Sequence, residues 1–219
     1  MIRVLQVDDH RLVREAMRGV LATHPEITVI GALSGIEELT AFKGGTPDVV
    51  LMDYMLQDGT GAQATRLAKA RWPRTRVVMV TSMSGDETIL EAVQAGADGY
   101  LTKDRAMDDV IAAVLAAHAG ELLLPPEVLG GMVRRLAADQ AEPPLVAALT
   151  PRELEVLRHL ARGTSTRGVA DAMGVSPETV RTHVQAVRRK LGAQSKLQAV
   201  TIGLKRGLID PPRGGEPDR

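Results

Sequence analysis

Four short apolar runs in this chain end on residues able to handle a phosphoryl group. Val4-Leu5-Gln6-Val7 runs into Asp8-Asp9, and Val49-Val50-Leu51-Met52 runs into Asp53. Val77-Val78-Met79-Val80 meets Thr81, and Gly99-Tyr100-Leu101-Thr102 meets Lys103. Side chains at the carboxyl ends of parallel strands converge on one crevice. Three carboxylates, a hydroxyl and an ammonium gathered there suit a site that binds a divalent cation and phosphorylates an aspartate. Asp8, Asp9 and Asp53 offer oxygen ligands to Mg2+, a hard cation that takes few carboxylates and keeps waters and phosphate oxygens around it. The cation is needed because a carboxylate attacking a phosphoryl group meets like charge, and Mg2+ with Lys103 would neutralise the transferring oxygens. Asp53 would be the nucleophile and form an acyl phosphate. Thr81 would hydrogen-bond a phosphoryl oxygen. Taken singly, each residue has an ordinary explanation: acids after strands cap helices, a threonine closes a turn, a lysine sits in solvent. The order of all four strand ends together carries the inference.

The elements that must hold these groups alternate between strand and helix patterns over residues 1–125, as βαβ units around a parallel sheet do. Strands are expected at 4–7, 27–30, 49–52, 77–80 and about 99–101. The first helix carries Leu12, Val13, Ala16, Met17, Val20 and Leu21 on one face. Further helices are expected at 36–42, at 62–72 (stopped by Pro73), at 86–95 (ended by Gly96) and at 107–118, where Val110, Ile111, Val114 and Leu115 face inward. The fold class is therefore α/β, a five-stranded doubly wound parallel sheet, followed by a small all-α domain of four helices.

Composition narrows the classes further. Apolar residues make up 44% of the 219, yet only Phe42, Tyr54, Trp72 and Tyr100 are aromatic, so the cores are aliphatic. There is no cysteine, which excludes disulfides, thiolate metal sites and thiol catalysis. No apolar run approaches the roughly 18–20 residues that span a bilayer, and Met1 leads straight into a strand with no room for a signal peptide. A cytoplasmic protein without membrane contact is expected. Charge is uneven: residues 1–125 hold 17 acidic and 12 basic groups, whereas residues 150–219 hold 7 acidic and 13 basic. Halves of opposite sign suggest two domains with different partners, the basic one for nucleic acid.

Between those halves, 128–138 fits one helix, and the polar, proline-terminated stretch at 139–144 reads as a linker. Domains are expected at 1–122 and 149–209, with a linker at 123–148 and a disordered tail at 210–219. Thr150-Pro151-Arg152-Glu153 is a capping box with proline at the first helical position. That helix stops at Gly163; a short one at about 166–173 ends at Gly174; a third runs from Ser176-Pro177 to Leu191 and closes at Gly192. Ser195-Lys196-Leu197-Gln198 is expected to form a second capping box before the fourth helix. The arrangement around Gly174 suits a helix-turn-helix. In the third helix Val180, Val184, Val187 and Leu191 make an apolar stripe, while Thr182, Gln185, Ala186 and Arg189, flanked by Arg181, face away from it. Polar groups for base edges beside basic groups for phosphates are what a recognition helix requires; Arg188, Arg189 and Lys190 add positive charge toward its end.

The stretches Val7-Asp8-Asp9-His10, Leu51-Met52-Asp53, Val80-Thr81-Ser82 and Ala97-Asp98-Gly99-Tyr100-Leu101-Thr102-Lys103-Asp104 resemble the receiver domain of bacterial two-component response regulators. The resemblance implies a flavodoxin-like fold, Asp53 as phospho-acceptor, direct Mg2+ ligation by Asp9 and Asp53, Asp8 acting through water, and the backbone carbonyl of Met55 completing the protein ligands. It also places Thr81 and Tyr100 at switch positions. The family usually has proline four residues after the acceptor; here that residue is Gln57, which adds loop freedom.

Residues 149–157, 175–184 and 190–193 resemble the LuxR-type helix-turn-helix of the NarL/FixJ class. By that resemblance Arg181, Thr182 and Gln185 face bases, Arg188, Arg189 and Lys196 lie near phosphates, and Leu197, Val200, Thr201 and Leu204 form a dimer surface. Gly168 stands where glutamate is common, and Gln194 and Lys196 stand where arginine is common. The implied function is transcription regulation: a sensor histidine kinase phosphorylates Asp53, and the chain dimerises on double-stranded DNA with an inverted-repeat operator. No enzymatic turnover is expected beyond self-phosphorylation and autodephosphorylation. Two other readings stay open, a regulator that binds DNA without phosphorylation and an aspartyl-phosphate phosphohydrolase. The second needs an acid two residues after the nucleophile, where this chain has Met55.

Overall fold

The computed structural model describes residues 1–82, 86–121 and 148–210. The chain divides into two compact units, Met1–Leu123 and Leu124–Arg219. The expected linker helix at 128–138 and nearly all of the tail lie outside the described residues.

The first unit is built on strands β1 (Ile2–Val7), β2 (Ile27–Leu33), β3 (Val49–Met52), β6 (Arg76–Thr81) and β7 (Gly99–Thr102). Their order is β2-β1-β3-β6-β7, and every pairing is parallel. The chain moves outward from β1 to β2 and then returns across β1 to β3, so the order reverses between β1 and β3. A crevice opens at that switch point, outside the carboxyl ends of the strands. Residues in β3 are all buried, as a strand covered by helices on both faces must be. Helices α1 (Arg11–Leu21) and α5 (Lys103–Ala119) cover one face, where Met17, Leu21, Val110 and Val114 pack with Ile2, Val4, Leu51 and Val80. The remaining helices of the unit are α2 (Ile36–Ala41), α3 (Gly61–Arg71) and α4 (Asp86–Gln94).

Two departures from the periodicity bear on the site. Helix α5 starts at Lys103, one turn before the start expected at 107, because a sequence read for apolar period gives no signal until that period begins. A two-residue ladder, β4 (Met55–Leu56) against β5 (Gly59–Thr60), folds the segment after Asp53 into a tight antiparallel hairpin. It is too short for alternation to reveal. Thr60 then caps α3: the Gln63 N–H donates to Thr60 Oγ1 (3.3 Å), and the Thr60 N–H donates to Gln63 Oε1 (3.0 Å).

The second unit has helices α6 (Pro151–Ala161), α7 (Thr166–Met173), α8 (Pro177–Leu191) and α9 (Lys196–Lys205). The Thr150 capping box forms as expected, with Glu153 N–H to Thr150 Oγ1 at 3.3 Å and Thr150 N–H to Glu153 Oε2 at 2.7 Å. Ser165 and Ser176 cap α7 and α8, accepting from the N–H groups of Gly168 and Thr179 at 3.1 Å each. Gly174 ends α7 with φ +64°, a left-handed turn that glycine takes without a Cβ penalty. The box at Ser195 is only half formed. Ser195 Oγ accepts from the Gln198 N–H (3.1 Å), but the Gln198 side chain takes the N–H of Gln194 rather than that of Ser195.

Glu153 is buried, and its Oε2 also lies 2.7 Å from Lys190 Nζ, tying the start of α6 to the end of α8. Burial alone would raise its pKa; the Lys190 and Thr150 hydrogen bonds outweigh that and hold it below the usual carboxylate range. A depressed folded-state pKa gives stability that is present above the unfolded value, about 4.3, and is lost as pH falls through the folded one. Acid unfolding of this domain should therefore show a loss between about pH 5 and 3 that is smaller in Glu153→Gln, measured by urea midpoints across that range. Equal pH slopes in the two proteins would refute the role assigned to this pair.

Candidate functional site

The parallel register sets Val7 beside Met52, so the residues after β1 and β3 emerge side by side. Backbone bonds fix both exits: the Asp53 N–H donates to Val7 O (2.7 Å) and the Asp8 N–H to Leu33 O (3.0 Å). Asp8 and Asp53 are 1% and 3% exposed, and such carboxylates persist only when paired. Their partner is Lys103. Standing at the first position of α5, it reaches back so that Nζ lies 2.6 Å from Asp53 Oδ2 and 2.8 Å from Asp8 Oδ2. The second of these is an ion-pair contact without hydrogen-bond alignment. Thr81 is buried at the end of β6, and its Cα pairs in register with Thr102, next to Lys103. Asp8, Asp9, Asp53, Thr81 and Lys103 are thus brought to one end of the sheet.

Burial pushes the Asp53 carboxyl up; the Lys103 hydrogen bond opposes this and the Asp8 charge adds to it, leaving Asp53 above the usual aspartate value. Burial lowers the Lys103 ammonium, but Asp53 and Asp8 together raise it above its ordinary range. The result is a more basic carboxylate held against a firmly protonated cation. The three aspartates suit a hard cation. Buried oxygens Asp8 Oδ2 and Asp9 Oδ1 accept no aligned hydrogen bond, so each has a lone pair free to meet one. Met55 begins β4 two residues beyond Asp53.

Sequence reasoning named Tyr100 but missed His10, Tyr54 and its partner Glu91. His10 Nδ1 lies 2.6 Å from Asp9 Oδ1, 3.3 Å from Asp8 Oδ1 and 3.8 Å from Asp53 Oδ2, and its backbone N–H donates to Asp8 Oδ1 at 2.7 Å. Its position directly after the acidic pair was the available signal. Tyr54, directly after Asp53, is buried and donates its hydroxyl to Glu91 of α4. Burial, then Glu91, pushes the Tyr54 phenol up to about 12. Tyr100 is 3% exposed, with its ring turned into the protein, and burial followed by Tyr54 raises it to about 12 as well. A chain of side chains therefore runs from the segment after Asp53 to α4.

In the second unit, Val180, Val184, Val187 and Leu191 are buried, and Arg181, Thr182, Gln185 and Arg189 are exposed along the other side of α8. Arg181 pairs with Glu178 (2.8 Å), and Arg188 donates to the Gln194 carbonyl at the α8–α9 turn. Lys190, expected to add positive charge there, is instead engaged by Glu153. Lys196 is only 9% exposed, and its ammonium lies 3.2 Å from Thr166 Oγ1, bracing α9 against α7. Most of the residues expected at a dimer surface lie inside the unit. Leu197, Val200 and Thr201 are 1%, 0% and 6% exposed, and only Leu204 of the four is partly open. The same helix approaches α6 closely at Gly203, where a Cβ would come within 2.8 Å of Leu157.

A family model for the response regulator receiver domain matches residues 4–115, and one for bacterial regulatory proteins of the luxR family matches residues 147–202. Response regulator protein VraR of Staphylococcus epidermidis is 37% identical over 209 residues, which span 95% of this chain and 99% of that protein. Among solved structures, response regulator ChrA of a heme-sensing two-component system is 34% identical with a TM-score of 0.50, covering 95% of this chain and 98% of that one. A LuxR-family two-component response regulator from Aurantimonas sp. SI85-9A1 is 29% identical with a TM-score of 0.56, over 62% of this chain and 97% of that one. The acidic crevice at the switch point, the exposed polar face of α8 and these matches agree: the chain belongs to the response regulators, and joins a receiver domain to a luxR-type DNA-binding domain as a phosphorylation-regulated transcription regulator.

Proposed function

We propose that Asp53 is the phospho-acceptor of this regulator, and that Asp8, Asp9, Asp53 and the backbone carbonyl of Met55 hold Mg2+ beside it. The observation that carries this reading is the buried Asp53 carboxylate held between Lys103 and the Asp8–Asp9 pair. Bound Mg2+ supplies charge neutralisation for the phosphoryl oxygens. An Asp53 oxygen forms the bond to phosphorus as the bond to the donor, a phosphohistidine of a sensor kinase or a small acyl phosphate, breaks and the leaving group departs with its electron pair. Lys103 then moves from the carboxylate to the new phosphoryl oxygens, and the Thr81 hydroxyl follows the added charge. Tyr54 and Tyr100 are placed to pass that movement to α4. Phosphorylation shifts the population between two arrangements rather than creating a new one.

On the output side, Arg181, Thr182 and Gln185 read base edges in the major groove, and Arg188 and Arg189 contact phosphates. The chain binds double-stranded DNA as a homodimer, which matches an inverted-repeat operator. Domain limits of 1–122 and 149–209 fit this division of labour. No described helix is long and apolar enough to cross a membrane, and a DNA-binding role fits work in the cytoplasm. The family is one of regulators, and Met55 stands two residues after Asp53, where a phosphohydrolase of the aspartyl-phosphate type needs an acid.

The test is intact-mass spectrometry with a small acyl phosphate and Mg2+, paired with DNA binding at several salt concentrations. One phosphoryl adduct is expected in the wild type and none in Asp53→Asn. The Kd for DNA should rise steeply with salt and fall on phosphorylation of the wild type only. An adduct that persists in Asp53→Asn would overturn the assignment. DNA affinity indifferent both to the donor and to Asp53→Asn would favour a regulator that works without phosphorylation.

A further inference from the structure

The hairpin that follows Asp53 turns at Gln57-Asp58, and both of those residues are exposed. The Asp58 carboxylate nonetheless points back into the unit and accepts two backbone hydrogen bonds, from the Ile36 N–H at 2.9 Å (Oδ1) and from the Glu37 N–H at 2.8 Å (Oδ2). These are the first two N–H groups of α2, whose own N-cap, Gly35, has no side chain to satisfy them. Gly35 is also what makes room: a Cβ there would collide with the Asp58 carboxylate. The two backbone bonds hold the Asp58 pKa below the usual range.

The same short helix is tied to the other side of the acidic crevice. The Ser34 N–H and hydroxyl donate to Glu38 of α2 at 2.9 and 2.8 Å. Ser34 follows Leu33, whose carbonyl takes the Asp8 N–H. Helix α2 is thus a common anchor, held to the Asp8 segment through Ser34 and to the Met55–Thr60 hairpin through Asp58. Gly59 closes the fit, since a Cβ on it would come within 2.6 Å of Ile36 Cδ1.

We propose that Asp58 is a positioning residue for phosphoryl transfer: its bidentate clasp of the α2 amino terminus fixes the hairpin that presents Met55 beside Asp53, and does so without a proline at 57. The proposal deepens the reading of Asp53 as acceptor and rests on it for its functional meaning. Proline fixes φ within its own ring, whereas this chain fixes the same turn from outside through a carboxylate and two amides. Gln57 takes the first central position of the turn, the position that proline favours in the common turn types.

The experiment uses the full chain and titrates Mg2+ alone by thermal shift, with hydrogen exchange at the Ile36 and Glu37 amides followed in parallel. Asp58→Ala should weaken Mg2+ binding by about fivefold to tenfold and deprotect both amides. Adding Gln57→Pro to that variant should return the Mg2+ Kd to within about twofold of wild type while both amides stay deprotected, which a role confined to capping α2 would not produce. Gly35→Ala, which crowds the Asp58 seat, should reproduce the Asp58→Ala change in Mg2+ affinity. An unchanged Mg2+ Kd in Asp58→Ala, or no recovery with Gln57→Pro, overturns the proposal. Absence of any adduct on Asp53 in the wild type would instead defeat the acceptor reading, and the Mg2+ titration would still decide the role of Asp58.

Discussion

Asp98→Ala should destabilise the receiver domain by about 3–5 kcal/mol, the range seen when one partner of a buried ion pair is removed. Asp98 is 6% exposed at the amino ends of β6 and β7, the end of the sheet opposite Asp53. Its carboxylate accepts from the Lys69 ammonium, from Arg76 Nη1 at 3.1 Å and from the Val77 N–H at 3.0 Å. Lys69, itself 9% exposed at its side chain, also donates to the Thr75 carbonyl at 2.8 Å. Removing the carboxylate leaves two cations and a strand amide without their shared acceptor, and the low-dielectric surroundings make that costly. A fall in Tm of more than about 10 °C is expected for a domain of this size. The pair Asp98→Leu with Lys69→Met should be more stable than the sum of the single changes predicts, by at least about 1.5 kcal/mol in urea unfolding. A single Asp98→Ala variant within about 1 kcal/mol of wild type would show that the network is not structural.

The acidic crevice was legible because strand ends are legible: an apolar run marks where a buried strand stops, and in a parallel sheet all such stops face one way. Asp8, Asp9, Asp53, Thr81 and Lys103 needed only that rule. The contacts that complete the site were not legible, because they join residues distant in sequence. Nothing in the chain's local pattern pairs Tyr54 with Glu91 or sends Asp58 to Ile36. The helix-turn-helix shows a different limit. Periodicity separates the apolar stripe of α8 from its polar face, and the structure keeps that division. In α9 it does not tell what covers an apolar residue, and Leu197 and Val200, expected at a dimer surface, are buried within the unit. Lysines are hard to read from sequence for a related reason. A long apolar stem lets Lys190 and Lys196 lie inside the domain with their ammonium groups on Glu153 and Thr166, and a sequence records only their charge.

Gly61→Ala should lower the rate of phosphoryl adduct formation by about a hundredfold while leaving the domain folded, because it moves the acceptor loop rather than the core. Gly61 begins α3, and its N–H donates to the Tyr54 carbonyl at 2.7 Å, so the hairpin closes back on the residue next to Asp53. A Cβ at this position would collide with the Asp53 carbonyl oxygen and come within 2.8 Å of both Tyr54 Cα and Met79 Cε. The methionine methyl can rotate away, but two backbone atoms cannot. Conformation is not the constraint, since Gly61 has no positive φ; space is. The collision must push the 54–61 loop off the Asp53 peptide, displacing Tyr54 from Glu91 and Met55 from the crevice together. Overpacking of this kind costs roughly 1–3 kcal/mol, which the fold should survive. Adduct formation followed by mass spectrometry, with circular dichroism to show that the fold is retained, reads the two effects separately. A wild-type rate in Gly61→Ala would mean that the loop yields without disturbing Asp53, and that the close approach of α3 to the acceptor is incidental to the chemistry.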